Sequence, residues 1–163
     1  MSRIIATFLY VGLLKPAPGT WGSLAALPVA WALHTAGGPV LLIAASVAAA
    51  AVGWWATAVE VSGAEDQDPS EIVIDEVVGQ WIALWPVSIG AAMAGTGFTA
   101  LWPGIVTAFL AFRLFDIWKP GPVGLADRQK GPTGVMLDDI VAGWLAAMVV
   151  ALAAVVAHGV MRI

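Results

Sequence analysis

The 163-residue chain contains no cysteine. That excludes a disulfide framework, a thiolate metal site and any phosphatase that attacks through a cysteine. Charge is scarce as well, at 11% of residues, less than half of the roughly 25% of a soluble domain. A basic excess is also missing: seven Lys and Arg stand against eleven Asp and Glu, for a net charge of −4. No patch is left to follow a phosphodiester backbone, so nucleic acid is not an expected partner. Apolar residues fill the chain instead, at 60% of the sequence with a mean hydropathy of +0.89. Such a composition belongs in a bilayer, and the length predicts one domain over 1–163.

Apolar runs cover 4–14, 21–36, 39–59, 77–94, 98–118 and 140–161, with polar stretches at 60–76 and 119–139. The first run is too short to span and is expected as an interfacial or re-entrant helix. A signal peptide is its rival reading, but Lys15-Pro16-Ala17-Pro18 lacks a small-x-small cleavage site. The second run is also short, and Pro28 is expected to kink it. The expected fold is therefore all-α, a polytopic membrane bundle of about five spanning helices plus the short N-terminal helix. Gly37-Gly38 and Gly95-Thr96-Gly97 read as tight turns, which puts 15–20, 60–76 and 119–139 on one face. That face receives Lys15, Lys119, Arg128 and Lys130, with Arg113 just inside it, while Arg162, and Arg3 with it, are expected on the other. The positive-inside rule makes the charged face cytoplasmic.

A pseudo-repeat carries the sharpest chemical signal. Ile74-Asp75-Glu76-Val77-Val78-Gly79-Gln80-Trp81 resembles Leu137-Asp138-Asp139-Ile140-Val141-Ala142-Gly143-Trp144. Each copy puts two carboxylates where an apolar helix is expected to begin, and both helices enter from the same face. Helix capping accounts for one acid per helix. It leaves the second unexplained, at an interface where an unpaired carboxylate is costly to desolvate. Asp75, Glu76, Asp138 and Asp139 are therefore candidate ligands of a hard cation, and Mg²⁺ takes carboxylates, waters and phosphate oxygens together. In Phe112-Arg113-Leu114-Phe115-Asp116-Ile117-Trp118-Lys119-Pro120, helical spacing aligns Arg113, Asp116 and Lys119. An ion-paired helix end would look the same, yet a guanidinium and an ammonium beside a carboxylate cluster suit a phosphate dianion. Asp127-Arg128 adds an acid and a second fork, or only a solvated pair. Thr20 and Ser23 in Pro18-Gly19-Thr20-Trp21-Gly22-Ser23 offer hydroxyls that cap a helix or bond a phosphate oxygen. Glu65, Asp66 and Asp68 read as a solvated loop, His34 and His158 as packed or interfacial histidines, and Gly79 and Gly143 as points of close helix approach.

With these residues in view, the sequence resembles the phosphatidylglycerophosphatase A family, bacterial membrane enzymes that remove the terminal phosphate of phosphatidylglycerophosphate. The resemblance rests on Pro18-Gly19-Thr20-x-Gly22-Ser23-Leu24-Ala25-Ala26, Asp75-Glu76-x-x-Gly79, Phe112-Arg113-x-x-Asp116-x-x-Lys119-Pro120-x-Pro122 with Asp127-Arg128, and Gly134-x-Met136-x-Asp138-Asp139-x-x-Ala142-Gly143. Lys15 lies outside the first motif, and Lys130-Gly131-Pro132 departs from an often Gly-rich stretch. The resemblance implies Mg²⁺ dependence, a lipid phosphomonoester substrate and a bacterial inner-membrane location with the site on the cytoplasmic face. Asp75, Glu76, Asp138 and Asp139 then form the metal cluster, and Asp116 is a further ligand or water-orienting base. Arg113, Lys119 and Arg128 clamp phosphate, with Thr20 and Ser23 beside them. Asp75, Asp116 and Asp138 are the candidate catalytic residues, and metal-assisted attack by water and an aspartyl-phosphate intermediate both fit. The alternative is a cation transporter or channel, which the position of the acids at one end rather than at mid-membrane disfavours.

Overall fold

The computed structural model describes residues 1–63, 69–129 and 131–160, with side chains to residue 157. Glu65, Asp66, Asp68, Lys130, Arg162 and the His158 side chain lie outside that description. Every regular element among the described residues is helical: α1 (Ser2–Ala6), α2 (Pro18–Glu60), α3 (Ile74–Ala83), α4 (Trp85–Met93), α5 (Trp102–Trp118), α6 (Pro122–Asp127) and α7 (Pro132–Val160), with 3₁₀ turns at Val11–Leu13 and Phe98–Leu101.

Three helical stretches are long and apolar enough to cross a membrane: Pro18–Glu60, Phe98–Trp118 and Pro132–Ala157. The expected count of about five differs for two local reasons. First, the legs 18–36 and 39–60 form one continuous assignment, interrupted by non-helical angles at Gly37 and Gly38 alone. Pro28 lies inside the first leg, where the angles stay helical. Second, the run at 77–94 is divided at Leu84 into α3 and α4, of 10 and 9 residues. Pro86 lies in the first turn of α4, where its missing N–H costs nothing.

Contacts between these pieces give their directions. Along α3 and α4, Val73 meets Gly22, Trp81 donates its indole N–H to the Ala26 carbonyl at 2.9 Å, and Ser88 meets His34 at 2.7 Å. That order is parallel to the first leg of α2. Against the second leg it reverses, since Ile74 meets Gly53 and the Trp85 indole donates to Ser46 at 3.2 Å. The chain therefore doubles back at Gly37-Gly38, as those turn residues predict; Gly38 has φ +63°, which glycine adopts without strain. By the same logic α5 runs antiparallel to α3–α4, with Phe112 on Gly79 and Val87 on Gly104, and α7 runs parallel, with Gly143 on Gly79 and Trp144 on Trp85. Five legs thus alternate, and the polar stretches at 15–20, 69–76 and 119–139 meet at one end.

The expected N-terminal helix is present but is only five residues long, followed by the 3₁₀ turn. It straps the segment that delivers the first acid pair. The Val73 amide donates to the Ala6 carbonyl at 2.9 Å, and Arg3 pairs with Glu71 at 3.2 Å, which places Arg3 at the charged end rather than on the other face. Gly12 lies so close to the Glu71 carbonyl that a Cβ there would stand 2.0 Å from its oxygen. His34, wedged between Ser88 and the Phe98 ring at 5.1 Å, is a packed histidine as expected.

Candidate functional site

Where the legs converge, a cavity of about 380 Å³ opens, walled from four directions. Ala17, Pro18 and Gly19 come from the start of α2; Ser70, Ile72, Asp75 and Glu76 from the approach to α3. Arg113, Asp116, Ile117 and Lys119 come from the end of α5, and Val135, Asp138 and Asp139 from α7.

Carboxylate oxygens of Asp75, Glu76 and Asp139 lie within 4.8 Å of one another, although Asp75 and Asp139 are only 7% and 3% exposed. Three acids so close and so far from water repel one another and lose hydration, a state tolerated only with protons or a cation between them. The oxygen-only donor set fits a hard divalent cation. So does Glu76 Oε2, a buried atom with no hydrogen-bond partner among the described residues.

Within each pair the first acid is spent partly on its own backbone. Asp75 Oδ1 accepts the Glu76 N–H and Asp138 Oδ1 the Asp139 N–H, both at 3.0 Å. Asp75 lies in the first turn of α3, where a carboxylate can satisfy a free amide, although the N-cap position itself is Val73. Capping cannot describe Asp138, because α7 begins at Pro132 rather than beside the acids. Gly131, at φ +77°, turns the chain so that Gly134 and Val135 already donate to its carbonyl. The second pair is thus held inside a formed helix. Of the four expected ligands, Asp138 stands apart from the cluster of three: its Oδ2 accepts Lys119 Nζ at 2.8 Å.

The cations are already engaged. Arg113 Nη1 pairs with Asp116 Oδ2 at 2.5 Å and donates to Ser23 Oγ at 3.5 Å, while its Nε is buried without a partner among the described residues. Lys119 bridges Asp127 and Asp138. Partial burial works against its ammonium, but hydrogen bonds and charge from the two carboxylates outweigh that and raise its pKa well above the ordinary lysine value. It stays an ammonium wherever a phosphate is a dianion. Ser23 is buried and donates to the Gly19 carbonyl at 2.9 Å, the back-bond of a helical serine. Thr20 is half-buried and Arg128 exposed; neither lines the cavity.

Two contributors have weak sequence signals. A Cβ at Gly19 would stand 2.0 Å from Glu76 Oε1 and 3.2 Å from Arg113 Nη1. That glycine therefore admits a carboxylate of the protein itself. Gln80, one turn beyond Glu76, is fully buried with neither amide atom bonded among the described residues. A lone amide inside an apolar run is its only mark in the sequence.

Apolar helices long enough for a bilayer, with acids and cations gathered at one end, define a helical membrane protein bearing a candidate cation-and-anion site. The family model for phosphatidylglycerophosphatase A matches residues 4–154, and the chain belongs to that family. It is 34% identical over 146 residues to phosphatidylglycerophosphatase A of Escherichia coli K12, covering 89% of this chain and 78% of the relative. A Haemophilus influenzae protein of the same name is 34% identical over 149 residues, 91% of this chain and 85% of the relative. A Bacteroides thetaiotaomicron protein named, provisionally, as a phosphatidylinositol-3-phosphatase is 34% identical over 160 residues, 92% of this chain and 91% of the relative. No solved structure matches the chain.

Proposed function

We propose that the chain is a Mg²⁺-dependent phosphatase that hydrolyses the phosphomonoester of phosphatidylglycerophosphate to phosphatidylglycerol and phosphate. The observation that carries this reading is the union, in one cavity, of the Asp75–Glu76–Asp139 cluster with Arg113 and Lys119. A transporter needs polar groups along a path, whereas among the described residues the charged groups gather around one end. We further propose that all five legs cross the bacterial cytoplasmic membrane, with the cavity at the cytoplasmic surface as the positive-inside rule requires.

Asp75, Glu76 and Asp139 would hold the metal, which when bound polarises phosphoryl oxygens and lowers the pKa of its water. Asp138 is a ligand only if Lys119 releases it; its first role is to aim the ammonium. Arg113, with its planar fork turned into the cavity wall, and Lys119, as a point charge, neutralise the phosphate oxygens. Asp116 holds Arg113 in place and is the acid best placed to orient a water or take its proton. Arg128 and Thr20 would touch the headgroup at the rim rather than the transferred phosphate, while buried Ser23 would act through Arg113, whose Nη1–H it accepts.

Purified protein should release phosphate from phosphatidylglycerophosphate in detergent with no ion gradient. EDTA should abolish the release, and added Mg²⁺ restore it. Phosphatidic acid and phosphatidylinositol 3-phosphate should be poorer substrates; preference for the latter would move the substrate assignment to the third relative's. Cation flux in proteoliposomes without phosphate release from any lipid would favour the transporter.

Lys119→Met separates the two halves of the site. Turnover should fall by about 10²-fold, the scale of losing one electrostatic stabiliser. Mg²⁺ affinity, measured by calorimetry without substrate, should hold or rise, because Asp138 loses its neutralising partner.

A further inference from the structure

The walls of the cavity are incomplete on one side, and helix geometry identifies which. Successive residues on a helix are turned by about 100°. On the first leg of α2, Gly22 faces Val73 in the core, Gly19 and Ser23 face Glu76 and Arg113, and the next step outward brings Thr20 and Leu24. On α5, Phe112 faces Gly79 in the core, Arg113 and Asp116 face the cavity, and the next step outward brings Leu114 and Ile117. The two legs run in opposite directions, so both outward steps fall on the same side of the seam between them. Across that seam the side-chain hydrogen bond is the long one from Arg113 to Ser23 at 3.5 Å, and α5 packs chiefly on α7 and only lightly on α2. Ile117 is at once a wall of the polar cavity and 71% exposed, so the cavity reaches the outside there. The outside at that point is apolar: Leu24, Leu114 and Ile117 form its lips, with exposed Trp21 and Trp118 at the level where aromatic side chains meet a membrane surface.

We propose that this seam between the first leg of α2 and α5 is a lateral entrance for the phospholipid substrate. The phosphorylated headgroup passes between Thr20 and Ile117 to reach Arg113, and the diacylglycerol part stays in the bilayer against Leu24 and Leu114. The inference rests on the reading of the chain as a lipid phosphatase. An amphiphile is the ligand the opening fits, because a charged cavity and an apolar lip adjoin without a barrier. A lipid entering from the water side instead would have to expose its acyl chains, which the hydrophobic effect opposes.

Leu24→Trp and Leu114→Trp narrow the seam without touching a cavity wall. In the full-length protein in mixed micelles, each should lower kcat/KM for phosphatidylglycerophosphate by about tenfold or more, as misplacement of a bound substrate does. Inhibition of the residual activity by inorganic phosphate, which reaches the cavity from water, should keep its wild-type constant. Leu152→Trp, on an equally exposed part of α7, should change neither. Unaltered lipid turnover in both seam variants overturns the entrance, and so does weaker phosphate inhibition in parallel with slower turnover, which marks a distorted cavity. A wild-type protein that releases phosphate from no lipid fails the phosphatase reading itself, and the entrance falls with it.

Discussion

Asp75→Asn and Asp139→Asn should each lower phosphate release by about 10²-fold or more while leaving the protein folded. Asparagine keeps the shape of aspartate and is nearly as good a helix cap, so a purely structural role for Asp75 predicts almost no change. A ligand role predicts a large one, since each substitution removes an anion from a three-acid cluster and with it one transition-state stabiliser. The direction of the stability change discriminates further. In metal-free protein the cluster holds like charges out of water, so an amide relieves repulsion and thermal stability should hold or rise. With Mg²⁺ present the order should invert, because wild type gains stability from binding and the variants gain little. Turnover, calorimetric Mg²⁺ binding and melting with and without the ion decide the matter together. Wild-type turnover in both variants would remove the cluster from the chemistry.

The acids were legible because a pseudo-repeat puts the same pair on two helices that enter from one end, and repetition of a costly group is hard to attribute to solvation. The finer assignment was not legible. Asp138 and Asp139 are adjacent, and only the position of Lys119 decides that the first takes an ammonium while the second joins Asp75 and Glu76. That position depends on the αL conformation of Lys119 at the end of α5, φ +48°, and on Asp127 across the turn, neither of which spacing reveals. The pair Asp127-Arg128 shows the same limit of spacing. Asp127 is its engaged member, while Arg128 closes α6 at the surface.

For the fold, the paired glycines at 37–38 announced the reversal because no other residue tolerates Gly38's angles cheaply. The division at Leu84 and the early start of α7 stayed hidden, since apolar composition runs unbroken through Leu84 and the turns from Pro132 to Leu137 carry no helical periodicity. The N-terminal strap was equally hidden: its hold on Val73 is a backbone hydrogen bond, and backbone bonds leave no side-chain signature.

Gly79→Ala should cost the protein both stability and activity. In hydrocarbon, helices gain little from the hydrophobic effect and associate through close packing, so small residues at a crossing matter most. At Gly79 three helices meet. An added Cβ would stand 2.4 Å from Phe112 Cε2 on α5 and 2.6 Å from the Asp139 carbonyl on α7. The ring can swing, but the carbonyl belongs to the residue that carries one of the three cluster acids, and Gly143 on α7 already touches the Gly79 carbonyl so closely that its own Cβ would stand 2.5 Å away. Helix α7 can relieve the clash only by moving as a body, which carries Asp139 away from Asp75 and Glu76. Overpacking of this kind costs about 1–3 kcal/mol or more, well above the roughly 1 kcal/mol that alanine returns as the better helix former. A lowered melting temperature and loss of phosphate release should therefore appear together, with weakened Mg²⁺ binding in whatever fraction stays folded. Gly90→Ala is the control, because its Cβ would meet only Leu101 Cδ1 at an ordinary 3.6 Å; it should melt at or above the wild-type temperature with full activity. If Gly79→Ala behaves like Gly90→Ala, α3 and α7 do not cross this closely, and the convergence of their acid pairs loses its structural basis.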